Sequence, residues 1–245
     1  MTDTRAALRI TGSDRADFQQ GLVTNDVARL SDGLVYTALL SPQGKYLYDF
    51  FMVPDGDGIL LDVAEDRAQA LGQRLTMYRL RADVQITLDE RPVAIGTGPA
   101  PEGAFADPRD PALGWRAYGV GTSDGTDWDA LRVAHAIPAS GAELQPDDSY
   151  ILEMGFERLN GVDFKKGCYV GQEVTARMKH KTSLRKGLAR VHLEGPVDPG
   201  TEISKEGKTV GKIHTVSGDK ALAYLRFDRV GEGMEAAGIS VSAET

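Results

Sequence analysis

The chain has 245 residues but one cysteine, Cys168, and its longest apolar run, 221–225, is only five residues long. A single cysteine excludes an intrachain disulfide, a zinc site closed by thiolates of one chain, and a stably bound cluster. Because a bilayer-spanning helix needs roughly 18 apolar residues, the sequence predicts no transmembrane segment. The first 20 residues lack the pattern of a signal or transit peptide, so the sequence predicts a cytoplasmic protein. The single cysteine predicts that no metal is stably bound.

The chain also lacks an excess of positive charge, since its formal net charge is −8. That balance argues against general binding to nucleic acids or anionic membranes. One segment has the opposite charge balance, because 165–190 carries eight Lys or Arg residues and one acid, Glu173. This basic strip is either a solvated helix face with a strand edge, or a surface that attracts a particular anion. Its only aromatic residue is Tyr169, which disfavours base stacking.

Apolar periodicity predicts helices over about 14–22, 65–78 and 127–136, and a hairpin of strands 34–40 and 46–53. After 184 the sequence consists of short apolar segments separated by Gly, Pro, Asp or Glu, which is typical of a small antiparallel β-barrel. Within it, Val210 and Ile213 can share a face only if a bulge intervenes. We therefore predict an α+β domain over 1–184 followed by a β-barrel domain over 185–245.

The segment 160–181 has the most chemical content. Gly167 and Gly171 permit a tight turn around Cys168, ahead of a helix whose apolar residues recur four apart. A helix N-terminus and the neighbouring Lys165 and Lys166 favour a thiolate, which predicts a reactive cysteine. The alternative is an inert buried cysteine that fills a small hole. No histidine and carboxylate are spaced to complete a catalytic triad.

Residues Lys166 to Glu173 resemble the K-G-C-F/Y-x-G-Q-E signature of the YgfZ-type folate-binding proteins, which are relatives of the glycine-cleavage T-protein. The flanking Asn160–Phe164 and Thr175–Arg177 are most similar to the branch that contains an iron-sulfur cluster assembly factor. Further phrases typical of this family are 21–26, 40–45, 77–81 and 107–109. The resemblance therefore covers most of the chain.

The resemblance implies a T-protein-like folate-binding α+β domain with a central opening, followed by a small C-terminal β-barrel. It implies tetrahydrofolate, or a one-carbon derivative, as cofactor, with A-type iron-sulfur carriers or client cluster enzymes as partners. The clients implied are four-iron cluster enzymes, including those that modify transfer RNA. A carboxylate can accept hydrogen bonds from the pterin edge, while cations hold the carboxylate tail of folate. The predicted folate-binding residues are Glu153, Lys165, Lys166, Tyr169, Gln172, Glu173 and Arg177.

Two functions from different classes stay open. The first is an accessory protein of iron-sulfur assembly or repair, in which Cys168 makes a transient thiolate contact. The second is a folate-dependent aminomethyltransferase, in which Asp49 orients the folate amine. In T-proteins an Asp-Asp pair follows a Gly-Gly turn, whereas here Tyr48 and Asp49 occupy that pair and Lys45 replaces the second glycine. Direct RNA binding through the basic strip is a third, weaker reading, so no nucleic-acid partner is predicted.

Overall fold

The computed structural model describes residues 4–180 and 183–244. Within these ranges the strands are β1 (Arg5–Thr11), β2 (Val35–Leu40), β3 (Tyr46–Asp55), β4 (Gly58–Ala64), β5 (Gln85–Asp89), β6 (Val93–Gly96), β7 (Phe105–Ala106), β8 (Trp115–Tyr118), β9 (Lys186–Leu193), β10 (Glu202–Lys205), β11 (Lys208–Ser217), β12 (Lys220–Arg226), β13 (Met234–Ala236) and β14 (Ile239–Ala243). The helices are α1 (Arg15–Gln20), α2 (Glu65–Arg79), α3 (Trp128–His135) and α4 (Gln172–Lys179).

An antiparallel sheet in the order β2-β3-β4-β1-β5 organises the first half of the chain. One of its faces packs against α2, whose Ala68, Leu71 and Leu75 are buried at helical spacing. The first eight residues of β3 are all buried, which places this strand in the interior of its unit. The predicted hairpin is confirmed as β2 and β3, and the predicted second helix is confirmed as α2.

A second, three-stranded sheet has the order β6-β8-β7. The sequence predicts an irregular connection over 97–112, and the structure differs there by the two-residue strand β7 and a short 3-10 helix, Pro111–Leu113. Pro111 is tolerated because it begins the 3-10 helix, where its missing N–H leaves no hydrogen bond unmade.

The last third of the chain forms a closed antiparallel barrel in the order β10-β11-β12-β9-β14-β13. The predicted bulge is present. Gly211 pairs with Ile203 and Thr209 with Ser204, so Val210 is the extra residue, and both Val210 and Ile213 are buried. A Cβ atom on Gly211 would lie 2.5 Å from Leu225 and 2.6 Å from the Tyr224 carbonyl oxygen, so this close strand contact requires glycine.

The described residues form two compact units. One lies within Met1–Thr126 and Phe156–Val174, and the other within Asp127–Gly155 and Thr175–Thr245. The second unit thus combines the barrel with 127–155, a segment that includes α3. The fold class, α+β followed by a small barrel, is confirmed, while the domain boundary between 184 and 185 stays a prediction.

Candidate functional site

Cys168 is exposed within the irregular segment 164–171, the Cys168 turn, which ends where α4 begins, at Gln172. Gly171 has φ +82°, and a Cβ atom there would lie 2.5 Å from the carbonyl oxygen of Ser41 and 3.1 Å from the Cα of Gly44. Gly44, in the turn between β2 and β3, has φ +75°, and its Cβ would lie 2.7 Å from Val174. The two turns therefore pack backbone against backbone, and the sulfur is presented to solvent rather than sealed in the core.

Only one of the two glycines expected to shape this turn is required by geometry. Gly167 does not adopt a positive φ, and a Cβ atom on it would meet no atom within 4 Å. Cys168 is exposed, so it does not fill a buried hole, and its reactivity stays a prediction.

Lys166 is buried, with 6% of its surface exposed, although it precedes the exposed Cys168 by only two residues. Its ammonium donates hydrogen bonds to the carbonyl oxygens of Gln20 (2.8 Å), Asn25 (3.0 Å) and Val23. Its Nζ also lies 5.1 Å from the centre of the Tyr169 ring. All three N–H donors are therefore directed at backbone, and Lys166 ties the Cys168 turn to the segment after α1.

Burial lowers the pKa of Lys166 to about 8, against the opposing effect of the negative charges of Asp26 and Asp163. Asp163 also accepts hydrogen bonds from the backbone N–H groups of Lys165 (2.7 Å) and Lys166 (3.2 Å). The carboxylate thus shapes the approach to the turn as well as compensating the buried ammonium.

Two of the family phrases are joined directly. The Thr24 hydroxyl donates to the Gly161 carbonyl oxygen at 2.7 Å, and the Asp163 N–H donates to the Thr24 carbonyl oxygen at 3.0 Å. The Asn25 side-chain amide donates to the carbonyl oxygens of Tyr36 and Asn160. Residues 21–26 and 160–164 are therefore one packed assembly beneath the Cys168 turn.

A buried chain of ion pairs lies in the same unit and includes the Asp107-Pro108-Arg109 phrase. Asp107 accepts from Arg109 (2.8 Å) and from Arg116 (2.9 Å), and Arg116 also donates to Asp62 at 2.8 Å, which Arg5 approaches at 2.7 Å. Burial acts to raise the pKa of Asp62 and Asp107, but the surrounding guanidinium charges outweigh it and hold both below their usual values.

Asp49 is buried in β3, and both of its carboxylate oxygens accept tyrosine hydroxyls. Tyr46 donates at 2.7 Å and Tyr36 at 3.0 Å. Burial, followed by the charge of Asp49, raises the pKa of Tyr36 well above its usual value, so Tyr36 remains a donor at neutral pH. The Tyr36 ring packs on Phe51 and Phe156, with centroids 5.1 and 5.0 Å apart, which makes this carboxylate part of a closed aromatic core.

Glu153 lies in the second unit and is half-buried. One carboxylate oxygen, Oε2, accepts the hydroxyl of Tyr224 at 2.6 Å, and its backbone carbonyl accepts the Leu188 N–H. Burial and the hydrogen bond to Glu153 raise the pKa of Tyr224 above its usual value. Among the described contacts, Glu153 Oε1 has no hydrogen-bond partner, so it retains acceptor capacity.

The other predicted folate-binding residues are distributed over both units. Lys165 and Glu173 are exposed and Gln172 is half-buried in the first unit, Tyr169 is buried there, and Arg177 is exposed in the second. Lys181, part of the basic strip, lies outside the described residues.

Several residues that define this site carry no signal in the sequence. Tyr36 and Asp62 are ordinary strand residues by pattern, and only the folded sheet brings them to Asp49 and Arg116. Within 4–180 and 183–244, no cluster of three or more His, Cys, Asp or Glu side chains has the arrangement of a metal site. No helix in those ranges combines the length and apolar character that crossing a bilayer requires.

Comparison with known proteins identifies the relatives of this chain. It is 31% identical to the human "Iron-sulfur cluster assembly factor IBA57, mitochondrial", over 93% of this chain and 77% of the relative. The mouse protein of the same name gives the same identity and coverage, and the Pyricularia oryzae homologue is 26% identical over 92% of this chain and 70% of its own. The chain belongs to the IBA57 family.

Two further comparisons concern the fold of this IBA57-family chain. Residues 185–245 match the family described as "CAF17, C-terminal beta-barrel domain". The crystal structure of the glycine cleavage system aminomethyltransferase T from Bartonella henselae is similar with a TM-score of 0.78 and 15% identity, over 99% of this chain and 83% of that one. The resemblance to T-proteins and to the iron-sulfur assembly branch is thereby confirmed. The names of the relatives place them in mitochondria, and the cytoplasmic location stays a prediction.

Proposed function

We propose that this chain is an accessory factor in iron-sulfur cluster assembly, and that Cys168 is a transient thiolate ligand of the cluster in transit. The observation that carries the proposal is the exposed Cys168 on a backbone-braced turn in a chain of the IBA57 family. The role in cluster assembly is that of the named relatives. The assignment to Cys168 rests on the geometry of the turn.

The chemistry follows from counting ligands. Iron-sulfur clusters use about four thiolates, and this chain has one, so the remaining ligands come from a partner protein. A carrier of the A type supplies such thiolates. The Cys168 thiol gives its proton to solvent as the sulfur binds iron, and the exposure of Cys168 leaves it accessible to the partner that carries the cluster.

The test reconstitutes a cluster on an A-type carrier and adds this chain with Cys168 or with Cys168→Ser. We expect a ternary species with the visible absorption and circular dichroism of a cluster bound across the two proteins, and its absence with Cys168→Ser. Equal yields of that species with both variants would remove Cys168 from the mechanism.

A matched control separates ligation from folding. Serine preserves the size of the side chain at an exposed position, so the thermal unfolding of Cys168→Ser is expected to match the parent protein. The same pair of variants, expressed in cells that lack the endogenous factor, tests maturation of four-iron cluster enzymes, including those that modify transfer RNA.

Tetrahydrofolate, or a one-carbon derivative, belongs to the proposal as the cofactor. The residues fit in part. In the second unit, Glu153 Oε1 can accept from the pterin edge and the exposed Arg177 can pair with a carboxylate. Lys166 is a poorer candidate than the sequence indicates, because its three donors already serve backbone carbonyls.

Titration calorimetry with tetrahydrofolate tests this cofactor directly. We expect saturable binding that weakens about tenfold or more in Glu153→Gln, since one charge-assisted hydrogen bond is lost. Tyr224→Phe is the control for the pair, because it removes the competing hydroxyl and leaves the carboxylate. Unchanged affinity in Glu153→Gln would exclude Glu153 from the pterin site.

The aminomethyltransferase alternative is less well supported. It needs Asp49 to orient a folate amine, but both Asp49 oxygens accept hydroxyls in the aromatic core. Incubation with tetrahydrofolate and an aminomethyl-lipoyl donor is therefore expected to give no methylene-folate above the uncatalysed rate.

A further inference from the structure

A groove of about 680 Å³ lies in the first unit between α2 and the strands β1 and β5. Its apolar lining includes Ala6 and Leu8 from β1 and Ile86 and Leu88 from β5. Gly72 and Thr76 line it from α2. The groove belongs to neither the Cys168 turn nor the aromatic core around Asp49.

Leu88, which lines this groove, is one of three strongly exposed apolar residues in the neighbouring elements. The three most exposed large hydrophobic residues among those described are Leu80 (88%), directly after α2, Leu88 (66%) in β5 and Met77 (64%) near the end of α2. Leu80 has φ +46°, a conformation that is costly for a bulky residue. Large apolar side chains are rarely this exposed without a partner, and several in neighbouring elements favour an interaction surface.

β5 is also an open edge. Among the described residues it pairs only with β1, through five consecutive residue pairs from Gln85 to Asp89. It has no lysine, no proline and no register shift, which are the devices that normally protect an edge strand from pairing. Its outer row of backbone N–H and C=O groups is therefore available to an added strand.

The charges near the start of β5 specify the occupant further. Among the groove-lining residues only Glu65 is charged, but two arginines, Arg79 at the end of α2 and Arg81 between α2 and β5, are exposed. The guanidinium of Arg79 contacts the carbonyl oxygen of Val84, directly before β5, at 3.4 Å, and Arg81 is exposed beside Leu80. The opposite end of the groove is lined by Glu65. The basic end complements acidic residues of a partner.

We propose that β5 and this groove receive an extended segment of a partner protein, which adds to the sheet as a sixth strand. Alternate side chains of that segment are apolar and enter the groove, and its acidic end lies beside Arg79 and Arg81. Successive side chains of a strand point to opposite faces, so a period of two is the sequence signature expected of the segment.

The location separates this surface from the Cys168 turn. β2 and β5 are the opposite edges of one sheet, and the Cys168 turn packs against the turn that joins β2 to β3. A partner held on β5 therefore leaves the thiol accessible.

The probe is an acetylated, amidated octapeptide, Glu-Val-Glu-Val-Thr-Val-Thr-Val, titrated into the ¹⁵N-labelled full chain. We expect saturable chemical-shift changes confined to 85–89 and the facing residues of α2, with slowed amide exchange in β5. Leu88→Lys should weaken binding about tenfold, because it places a charge where an apolar side chain closes the groove. Val120→Lys, at another exposed apolar position of the same unit, is the matched control and should bind as the parent does.

Two companion peptides complete the test. Replacement of the glutamates by lysine should weaken binding at least fivefold, and replacement of the third valine by proline should abolish it. Equal binding of the glutamate and lysine peptides would overturn the acidic assignment, and shifts outside β5 and α2 would overturn the site. A dimer of the free chain that dissociates in Leu88→Lys would assign the edge to a second copy instead and overturn the proposal.

Discussion

Lys166 places a charged group in the interior of the first unit, where its ammonium satisfies three backbone carbonyls. Replacing Lys166 by Met removes these donors while keeping the length of the side chain. We expect a loss of about 2 kcal/mol in the free energy of unfolding at pH 7, because buried carbonyl groups are left without partners. Chemical denaturation measures it, and Lys165→Met, at an exposed position, is the control that should change little.

The same residue predicts a pH dependence with a definite sign. Burial lowers the pKa of Lys166 to about 8 in the folded chain, and the unfolded lysine keeps a pKa near 10.5. Between these values the unfolded chain binds a proton that the folded chain has released, so the contribution of Lys166 to stability rises with pH across the window. The free energy of unfolding of the parent should therefore rise relative to Lys166→Met from pH 8 to 10. An equal slope in both proteins would contradict the lowered pKa.

Arg116 connects two buried carboxylates, Asp62 and Asp107, and stacks 3.8 Å from the Phe51 ring centre. Arg116→Met is expected to cost about 3–5 kcal/mol, because removing one partner leaves buried charge uncompensated. Since both carboxyl pKa values are lowered, the stability from these pairs is fully present above about pH 4 and is lost as pH falls through the folded pKa values. Denaturation at pH 7 and pH 3 should show a smaller difference between parent and variant at the lower pH.

At the residue scale the sequence indicated which side chains carry chemistry, but it did not indicate which groups they hydrogen-bond in the folded chain. The sequence predicted that Cys168 precedes a helix in a glycine-bearing segment, and it left exposed and buried positions for the side chain open. The structure shows that Cys168 is exposed, and its reactivity stays a prediction. The assignment of Lys166 to a ligand could not anticipate its buried position, because its acceptors are backbone carbonyls some 140 residues earlier. Every residue has a backbone carbonyl, so the residue type does not show which carbonyls accept a hydrogen bond from a side chain.

Gly171 is the position where two turns touch, and a side chain there has no space. Gly171→Ala should destabilise the chain by about 1–3 kcal/mol, because it combines a positive φ with a contact to the Ser41 carbonyl. It should also change the rate at which iodoacetamide alkylates Cys168, the single thiol of the chain. Gly167→Ala, where a Cβ atom meets nothing, is the matched control and should leave both measurements unchanged.

Elements with strong periodicity were predictable, and those without it were not. α2 and the β2–β3 hairpin follow from apolar spacing, and the barrel bulge follows from Val210 and Ile213 lying three apart. β5 has a mostly exposed pattern and β13 is three residues long, so neither has a local signal that distinguishes it from a loop. Both exist because a neighbouring strand offers hydrogen bonds.

The whole molecule has separate apolar cores in its two units. One surrounds the first sheet and α2, with Leu71 fully buried, and the other fills the barrel, with Ile213 fully buried. Leu71→Ala and Ile213→Ala should each cost about 2–5 kcal/mol. Because chains of more than one cooperative unit depart from two-state unfolding, we expect each variant to shift a different calorimetric transition. A single transition that both variants shift equally would show one cooperative unit.

The main-chain contact between Gly44 and Gly171 also has a practical consequence for engineering. Since backbone packing at Gly171 fixes the path of the segment that carries Cys168, exposed residues around Cys168 can be exchanged to alter selectivity for a protein partner while that path is kept.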